Sequence, residues 1–461
     1  MSETPRPDRP LGPPADAGLG EGDRSPSFLT ALNRQLRPVP TSHTAWWESA
    51  VVLVAAAAIG YFRLGRAPLR GVVWAEDGAV FLADAYHSNL LTGAFEPYNG
   101  YALFQPRVLA ELISWAPLTW QGQLMSATAA LCQALVALLA FHVVRAHART
   151  RIPPLLVALV VAAVPVGMEV IDNLANGQWF LLAGAVLAVF WSPARWPGRV
   201  ASAVVVFVAA TSCPFGAFAA ALAVAGWLVD RTRAHLPIAL AGLTGAVIQV
   251  WVALHAPPRS GPMDPGLDLG NLVGGYLRRV VGDGVLGIGR HGQDVSPTVV
   301  PGLLVLLLVT LMAVMSVVRR RADRLMFPAV LTLCSMVLFA APAYLTQPNT
   351  EQSYSEGRYW VAPVILLVTA FLLVAETAWL DRREPAGWGP AVLAVVLVAA
   401  TLYGLVTSWR VPSWDPRLEG PDWQAQVARA RHHCERHPHE PAVLKISPPG
   451  WTVTLTCDDL R

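Results

Sequence analysis

About eleven apolar runs, separated by short polar connections, dominate this sequence and leave it few ways to fold. They lie at 45–62, 124–144, 152–168, 178–191, 200–213, 215–229, 236–254, 299–318, 325–345, 359–379 and 388–409. An α-helix needs about 20 mostly apolar residues to cross the hydrocarbon core of a bilayer. The fourth to sixth runs are near the lower limit. The Thr-Ser-Cys-Pro-Phe-Gly stretch at 211–216 reads either as a break between two spans or as a kink in one longer helix. The residues are 54% hydrophobic and only 14% charged, whereas soluble domains carry about 25% charged residues. The expected fold is therefore an all-α polytopic membrane protein of about eleven transmembrane helices, at residues 45–409, with a lipid bilayer as its solvent.

Arginine placement predicts the orientation. With the N-terminus inside, thirteen Arg residues fall in the short cytoplasmic loops, among them Arg145, Arg149, Arg151, Arg319, Arg320, Arg321, Arg382 and Arg383, while the short outer loops hold only Arg358. This is the positive-inside asymmetry. It predicts a cell (plasma) membrane protein, N-terminus cytoplasmic and C-terminus extracytoplasmic. Residues 1–44, rich in Pro, Gly, Asp and Arg, read as a disordered cytoplasmic tail. About forty polar residues precede the first apolar run, which does not read as a secretory signal.

Everything unusual then faces outward: loops 63–123, 255–298 and 346–358, the sequence EVIDNLANGQ at 169–178, and the segment 410–461. In that last segment a helix is predicted at 421–430 and two short strands within 442–455, a small α/β domain. Cys434 and Cys457 are placed to form a disulfide in an oxidising compartment. It would close a loop of about 24 residues, worth roughly 3 kcal/mol in a chain-entropy account. Cys132, Cys213 and Cys334 fall within spans and read as inert thiols.

The first outer loop carries most of the candidate chemistry. Glu76 and Asp77 stand side by side just beyond the first span, and Asp84 follows. Pro106 is placed to open a helix whose apolar stripe, Val108, Leu109, Leu112, Ile113 and Ala116, would lie flat on the outer leaflet. Arg107 and Glu111, four apart, are spaced to pair. Carboxylates at a bilayer edge usually mark a polar cavity or a site. Such a group can take a proton from a hydroxyl nucleophile or hold a divalent cation such as Mg or Mn. An Arg on the same face can hold a phosphate through a bidentate contact. Arg358, at the head of a span, is the first candidate and Arg107 the second.

Each residue also has a plainer reading. Asp77 can cap the helix beginning at Gly78. Arg358 and Tyr359 can be an aromatic-belt anchor. Tyr98, Asn99 and Tyr101 can pack the loop or stack on a sugar. Asn176, Gln178 and Trp179 can cap a helix or bond a sugar. Glu169 and Asp172 are placed to line a cavity. Asp264, Asp268, Asp283 and Asp294 read as solvated turns in Gly- and Pro-rich sequence.

This pattern resembles the GT-C fold glycosyltransferases, multispanning enzymes that transfer sugars from polyprenyl-phosphate carriers. The matching residues are Glu76-Asp77, the segment PYNGYALFQPR at 97–107, and Arg358-Tyr359. The resemblance covers the first loop, the general topology and one later junction. It implies that Asp77 or Glu76 acts as catalytic base or metal ligand and that Arg358 contacts the donor phosphate. The implied partners are a polyprenyl-phosphate-linked sugar and a glycan or other envelope acceptor on the outer face. Several members separate the two acids by one residue, whereas here they are adjacent.

No phosphate loop, dinucleotide fingerprint, HExxH, CxxC or GxSxG sequence is present. No basic face with interleaved aromatics suggests nucleic acid. A lipid or polysaccharide transporter or flippase, or a non-catalytic envelope scaffold, is the competing expectation. Transporters carry polar groups near the midplane, and these spans are nearly free of charge.

Overall fold

The computed structural model describes residues 35–38, 44–257, 268–287, 299–346, 354–383 and 387–460. Most of the predicted tail 1–44, and the stretches 258–267, 288–298 and 347–353 of the predicted outer loops, lie outside them, as do Asp264 and Asp294. The described chain is mainly helical. Its principal helices are α1 (Trp46–Phe62), α2 (Phe104–Ser114), α3 (Leu118–His147), α4 (Ile152–Ala162), α5 (Gln178–Val189), α6 (Trp196–Ser212), α7 (Gly216–Asp230), α8 (Leu236–His255), α9 (Val300–Val318), α10 (Met326–Thr346), α11 (Val361–Leu380), α12 (Trp388–Thr407) and α13 (Trp423–Arg436). Two antiparallel hairpins complete it: β1 (Pro97–Tyr98) with β2 (Tyr101–Ala102), and β3 (Ala442–Lys445) with β4 (Thr452–Leu455).

Six helices, α3 and α8 to α12, are long and apolar enough to cross a membrane by length and composition; α1 and α4 to α7 are apolar but shorter. Proline in the first turn opens α4, α6, α8 and α9, a position where its missing N–H costs nothing. Every residue of α5, and of α11 from Val361 to Ala378, is buried. Helices apolar on all sides belong in the interior. Around them α8, α9 and α12 turn Leu243, Val247, Leu304, Leu307, Val392 and Val396 outward. Soluble monomers rarely expose so continuous an apolar belt. This ring is built for an apolar solvent.

Between α6 and α7 the chain reverses rather than kinks. A Cβ at Gly216 would collide with the Ala209 carbonyl one α-helical layer back, a contact no continuing helix could make. Cys213 is extended and Pro214 follows it.

The two ends of the bundle differ. At one end, Glu376 accepts hydrogen bonds from the N–H groups of Arg149 and Thr150 and from the Thr150 hydroxyl. Nearby, Arg151 pairs with Glu48 at 3.0 Å, and Asp381 faces Arg319 and Arg321. At the other end sits a cap made from the first loop and the C-terminal segment.

That segment does not stand alone. Trp423, Val427, Leu444 and Val453 share one core with Phe81, Leu82 and Leu103 of the first loop. The Trp423 indole N–H donates to the Leu118 carbonyl at 2.7 Å, and Ser447 N–H donates to Val73 at 2.9 Å. Cys434 and Cys457 are disulfide-bonded, with Cα atoms 5.5 Å apart, tying α13 to the end of the hairpin.

Two local expectations change. Arg107 does not pair with Glu111: its guanidinium reaches Asp84 at 2.9 Å and Glu96 at 3.7 Å. The buried face of α2 carries Arg107, Ala110 and Glu111, whereas Leu112 and Trp115 are exposed; the apolar stripe is thus split between core and surroundings. Asp283 is no solvated turn. It is buried beside Arg279 at 3.3 Å, in a folded segment packed under α9 and α12. Asp268 does act as a local cap, accepting from Gly270 and Asn271.

Candidate functional site

The site begins where two helices stop short. Eleven residues of α4 rise about 16 Å and twelve of α5 about 18 Å, little more than half of a hydrocarbon core of about 30 Å. The chain joining them, 163–177, has only one short 3₁₀ turn, Met168–Val170, yet 163–176 are buried throughout. Buried backbone outside regular structure has no ladder of its own to pair its N–H and C=O groups. Its polar groups must then find partners elsewhere.

They find them in four distant side chains. At the start of the segment, Gln133 of α3 donates to the last carbonyls of α4, Val161 and Ala162, at 2.8 and 3.0 Å. Arg63, just past α1, donates to Val164 at 2.8 Å. Arg417 donates to Met168 at 2.8 Å and to Ile171 at 2.5 Å. Asp77 accepts from the N–H groups of Leu174 and Ala175, both at 2.8 Å, one on each carboxylate oxygen.

Asp77 is therefore neither a local cap nor a cavity acid. It is 2% exposed and both oxygens are engaged. Among the described residues no group of three His, Cys, Asp or Glu side chains is arranged to hold a metal ion. Glu76, its neighbour, is the member of the pair that lines the cavity.

A glycine contact joins segment 163–177 to the turn before α11. Gly167 has φ +66°, and a Cβ there would lie 2.9 Å from the Gly357 carbonyl oxygen and 2.6 Å from Val361. Only glycine takes that conformation at that distance without strain. The approach brings Arg358 Nη1 to 3.5 Å from Glu169 Oε1. The other Glu169 oxygen has no hydrogen-bond partner among the described residues. Burial is the largest single influence on Arg358 and disfavours its charge, but Glu169, Tyr359 and Tyr101 together outweigh it and the pKa stands above the ordinary value. Arg358 lies over the Tyr359 ring at 5.3 Å, and Tyr359 meets Trp179 edge-on at 4.9 Å.

The third wall is the β1–β2 hairpin. Asn99 and Gly100 both have positive φ, 51° and 84°, the pair that a type I′ turn requires. The turn sets Tyr98 opposite Tyr101. Tyr98 donates its hydroxyl proton to Glu76 Oε1 at 3.4 Å. Burial pushes both phenols up, Tyr101 to about 12, so both remain neutral donors at physiological pH.

These elements enclose a cavity of about 500 Å³. Its polar lining includes Glu76, Tyr98, Asn99, Tyr101, Asn176, Gln178, Trp179, Arg358 and Tyr359. The wall from the start of α7 and from α8 is mostly apolar, with Phe215 just before α7, Ala217 of α7, and Ala246, Val250 and Ala253 of α8, and carries Gln249 among them. Trp251 and Leu254, beside that wall, are exposed. The lining residues Gln178, Trp179 and Gln249 keep buried polar atoms without partners among the described residues, including both amide atoms of Gln249. Buried polar groups are normally bonded, so these atoms leave the cavity with hydrogen-bonding capacity to offer.

Of the residues singled out from sequence, Glu76, Tyr98, Asn176, Gln178, Arg358 and Tyr359 converge on this cavity. Asp77 supports it from behind. Arg107 lies apart, against Asp84 and over the Phe81 ring at 5.5 Å. Gln249 was missed, although a lone Gln in an apolar helix is a readable signal. The Asn99-Gly100 turn also went unread.

The supporting acids give a testable pH dependence. Burial is the largest cause raising Asp77, Glu169 and Asp172, each to about 7, from unfolded values of roughly 4. Between those limits the folded state binds more protons than the unfolded one, so stability falls as pH rises from about 4 through 7. The thermal unfolding midpoint in detergent, followed by Trp fluorescence, is expected to be higher at pH 5 than at pH 8, and Asp77→Asn should flatten the slope. A midpoint that rises across the same interval would show these groups ionised in the fold. No protein-family model matches the chain and no curated protein matches it, so its function is to be argued from this cavity.

Proposed function

We propose that this protein is a GT-C-type membrane glycosyltransferase, transferring a sugar from a polyprenyl-phosphate carrier to a glycan or other envelope acceptor. In this reading all eleven apolar helices belong to the plasma-membrane bundle, and residues 169–177 between α4 and α5 lie on its outer side. The Arg-rich end is cytoplasmic, and the cavity end and the C-terminus lie outside.

The observation that carries the reading is the mixed lining of one cavity. A carboxylate, a guanidinium, amides and aromatic rings line it together with a mostly apolar stretch of α7 and α8 that lies beside exposed apolar residues. That combination suits a ligand with a sugar, a phosphate and a hydrocarbon tail. Glu76, held by Tyr98, takes the proton from the acceptor hydroxyl as it attacks the anomeric carbon. Arg358 receives the departing phosphate. Its contact with Glu169 is long at 3.5 Å, so a phosphate making a shorter bidentate contact displaces it. Tyr98, Tyr101 and Trp179 offer ring faces to the sugar, and Asn176, Gln178 and Gln249 offer amides. A single displacement inverts the anomeric centre. Asp77 is a positioning residue that fixes the backbone leading to Asn176 and Gln178.

The test is donor turnover by purified protein in nanodiscs, supplied with a panel of polyprenyl-phosphate sugars and an envelope glycan fraction. Release of free polyprenyl phosphate together with a glycosylated acceptor is the expected result. Intact donor moved between leaflets of a liposome, without release, would replace the enzyme with a flippase. No turnover and no movement across the panel would remove both.

A further inference from the structure

We infer that the Arg-rich end of the bundle carries a binding site for one anionic phospholipid, seated between α4 and α12. These two helices both pack on α11, and they leave over it a groove of about 380 Å³. Its floor is Leu372 and Ala375 of α11, and its sides include Leu156 of α4 and Val398 and Leu402 of α12. Apart from Thr150 and Glu376 at its inner mouth, which are bonded to each other, the groove is apolar and opens on the outward ring, so in a bilayer its occupant is a hydrocarbon chain.

Charge at the inner mouth selects which lipid. Trp379 lines the groove, and Arg382 lies over its ring at 4.1 Å while donating to its carbonyl at 2.9 Å. On the opposite rim, Thr150 lines the groove and Arg149 precedes it, exposed. Among the described residues neither Arg149 nor Arg382 has a carboxylate partner. The acids nearby are engaged: Glu376 by the Arg149 and Thr150 N–H groups, Glu48 by Arg151, and Asp381 beside Arg319 and Arg321. A tryptophan at headgroup level beside two uncompensated guanidinium groups, above an acyl-sized slot, matches a phosphate diester carrying net negative charge. Basic pockets between spans on the cytoplasmic side bind such headgroups. A zwitterionic lipid brings its own cation to the same place and loses the advantage.

This site lies at the opposite end from the cavity and does not depend on the glycosyltransferase reading. The test titrates dioleoyl-phosphatidylglycerol, and separately dioleoyl-phosphatidylcholine, into the detergent-purified full chain, with native mass spectrometry counting bound lipid. One phosphatidylglycerol is expected to bind in preference. Arg149→Gln and Arg382→Gln should each weaken it about fivefold, from roughly 1 kcal/mol per arginine near an anionic headgroup. The Arg149 guanidinium makes no bond to the protein that Gln would break, so that variant should fold normally. Ala399→Trp, which fills the groove from its exposed side, should remove the bound lipid with the arginines intact. Equal binding of the two lipids, or phosphatidylglycerol retained in Ala399→Trp, would overturn the proposal.

Discussion

Glu76→Gln is expected to lower sugar transfer by about 10²–10⁴-fold, the usual cost of removing a general base, with little change in folding or donor binding. Glutamine is nearly isosteric and keeps an acceptor for the Tyr98 hydroxyl, so the hairpin wall stays in place. What disappears is the group that accepts the acceptor's proton. The contrast with Asp77→Asn separates chemistry from support. Asparagine offers one carbonyl oxygen where two backbone N–H groups, from Leu174 and Ala175, each need an acceptor, and its amide would turn a donor toward one of them. A buried donor left unsatisfied costs about 1–3 kcal/mol. Asp77→Asn should therefore lose stability and activity together, whereas Glu76→Gln loses activity alone. Initial rates at saturating donor, beside unfolding midpoints of the same preparations, read both. Full turnover in Glu76→Gln would remove it from the proton transfer.

Why the sequence favours Asp77 while Glu76 is the acid that lines the cavity is a matter of geometry. On a helical turn, neighbouring side chains diverge by about 100°, so one of a pair faces a cavity and the other does not. Which is which depends on how the turn Asp77–Leu82 is rotated. Gly78 fixes that rotation: a Cβ there would meet Val73, Ile446 and Val453 within 2.9 Å. Two of those contacts come from the far C-terminus and are invisible to local reading. The apolar helices were legible because a run of Val, Leu and Ala has one use in so uncharged a chain. The helix and hairpin of the C-terminal segment, and its disulfide, were legible from local pattern and cysteine placement. Its burial against the first loop was not, because Trp423 and Leu118 are joined only by the fold. The same holds for segment 163–177. Its sequence reads as the end of a span to Met168 and an outer loop from 169, whereas the helix stops at Ala162, and only the convergence of Gln133, Arg63, Arg417 and Asp77 explains how irregular backbone can be buried there. Arg107 failed for a related reason. A helical neighbour at i+4 was the local guess, but Asp84 on another element offered a closer partner.

Arg417→Met should cost about 3–5 kcal/mol of stability, the penalty for breaking a buried ion pair from one side, and should lower transfer although Arg417 does not line the cavity. The side chain is 1% exposed. It makes two charge-assisted bonds to Asp415, at 2.9 and 2.7 Å, stacks over Trp74 at 4.9 Å, and donates to the Met168 and Ile171 carbonyls. One guanidinium thus clasps the C-terminal segment, the first loop and the irregular segment. Methionine fills similar volume but takes the guanidinium away from the buried Asp415 carboxylate and from the Ile171 carbonyl, and leaves the Met168 carbonyl only the Ile171 N–H at 3.3 Å. Those carbonyls flank Glu169, so their release should loosen the Glu169–Arg358 contact and disturb phosphate capture. A second change tests the cause. Arg417→Met with Asp415→Leu removes the buried carboxylate as well and should recover much of the stability, while the carbonyls still lack the guanidinium and transfer stays low. Chemical unfolding in detergent, with donor turnover measured on the same samples, reads both quantities. Recovery of transfer along with stability would show that Arg417 acts through global stability, and a loss below about 1 kcal/mol in the single variant would show that the clasp holds nothing.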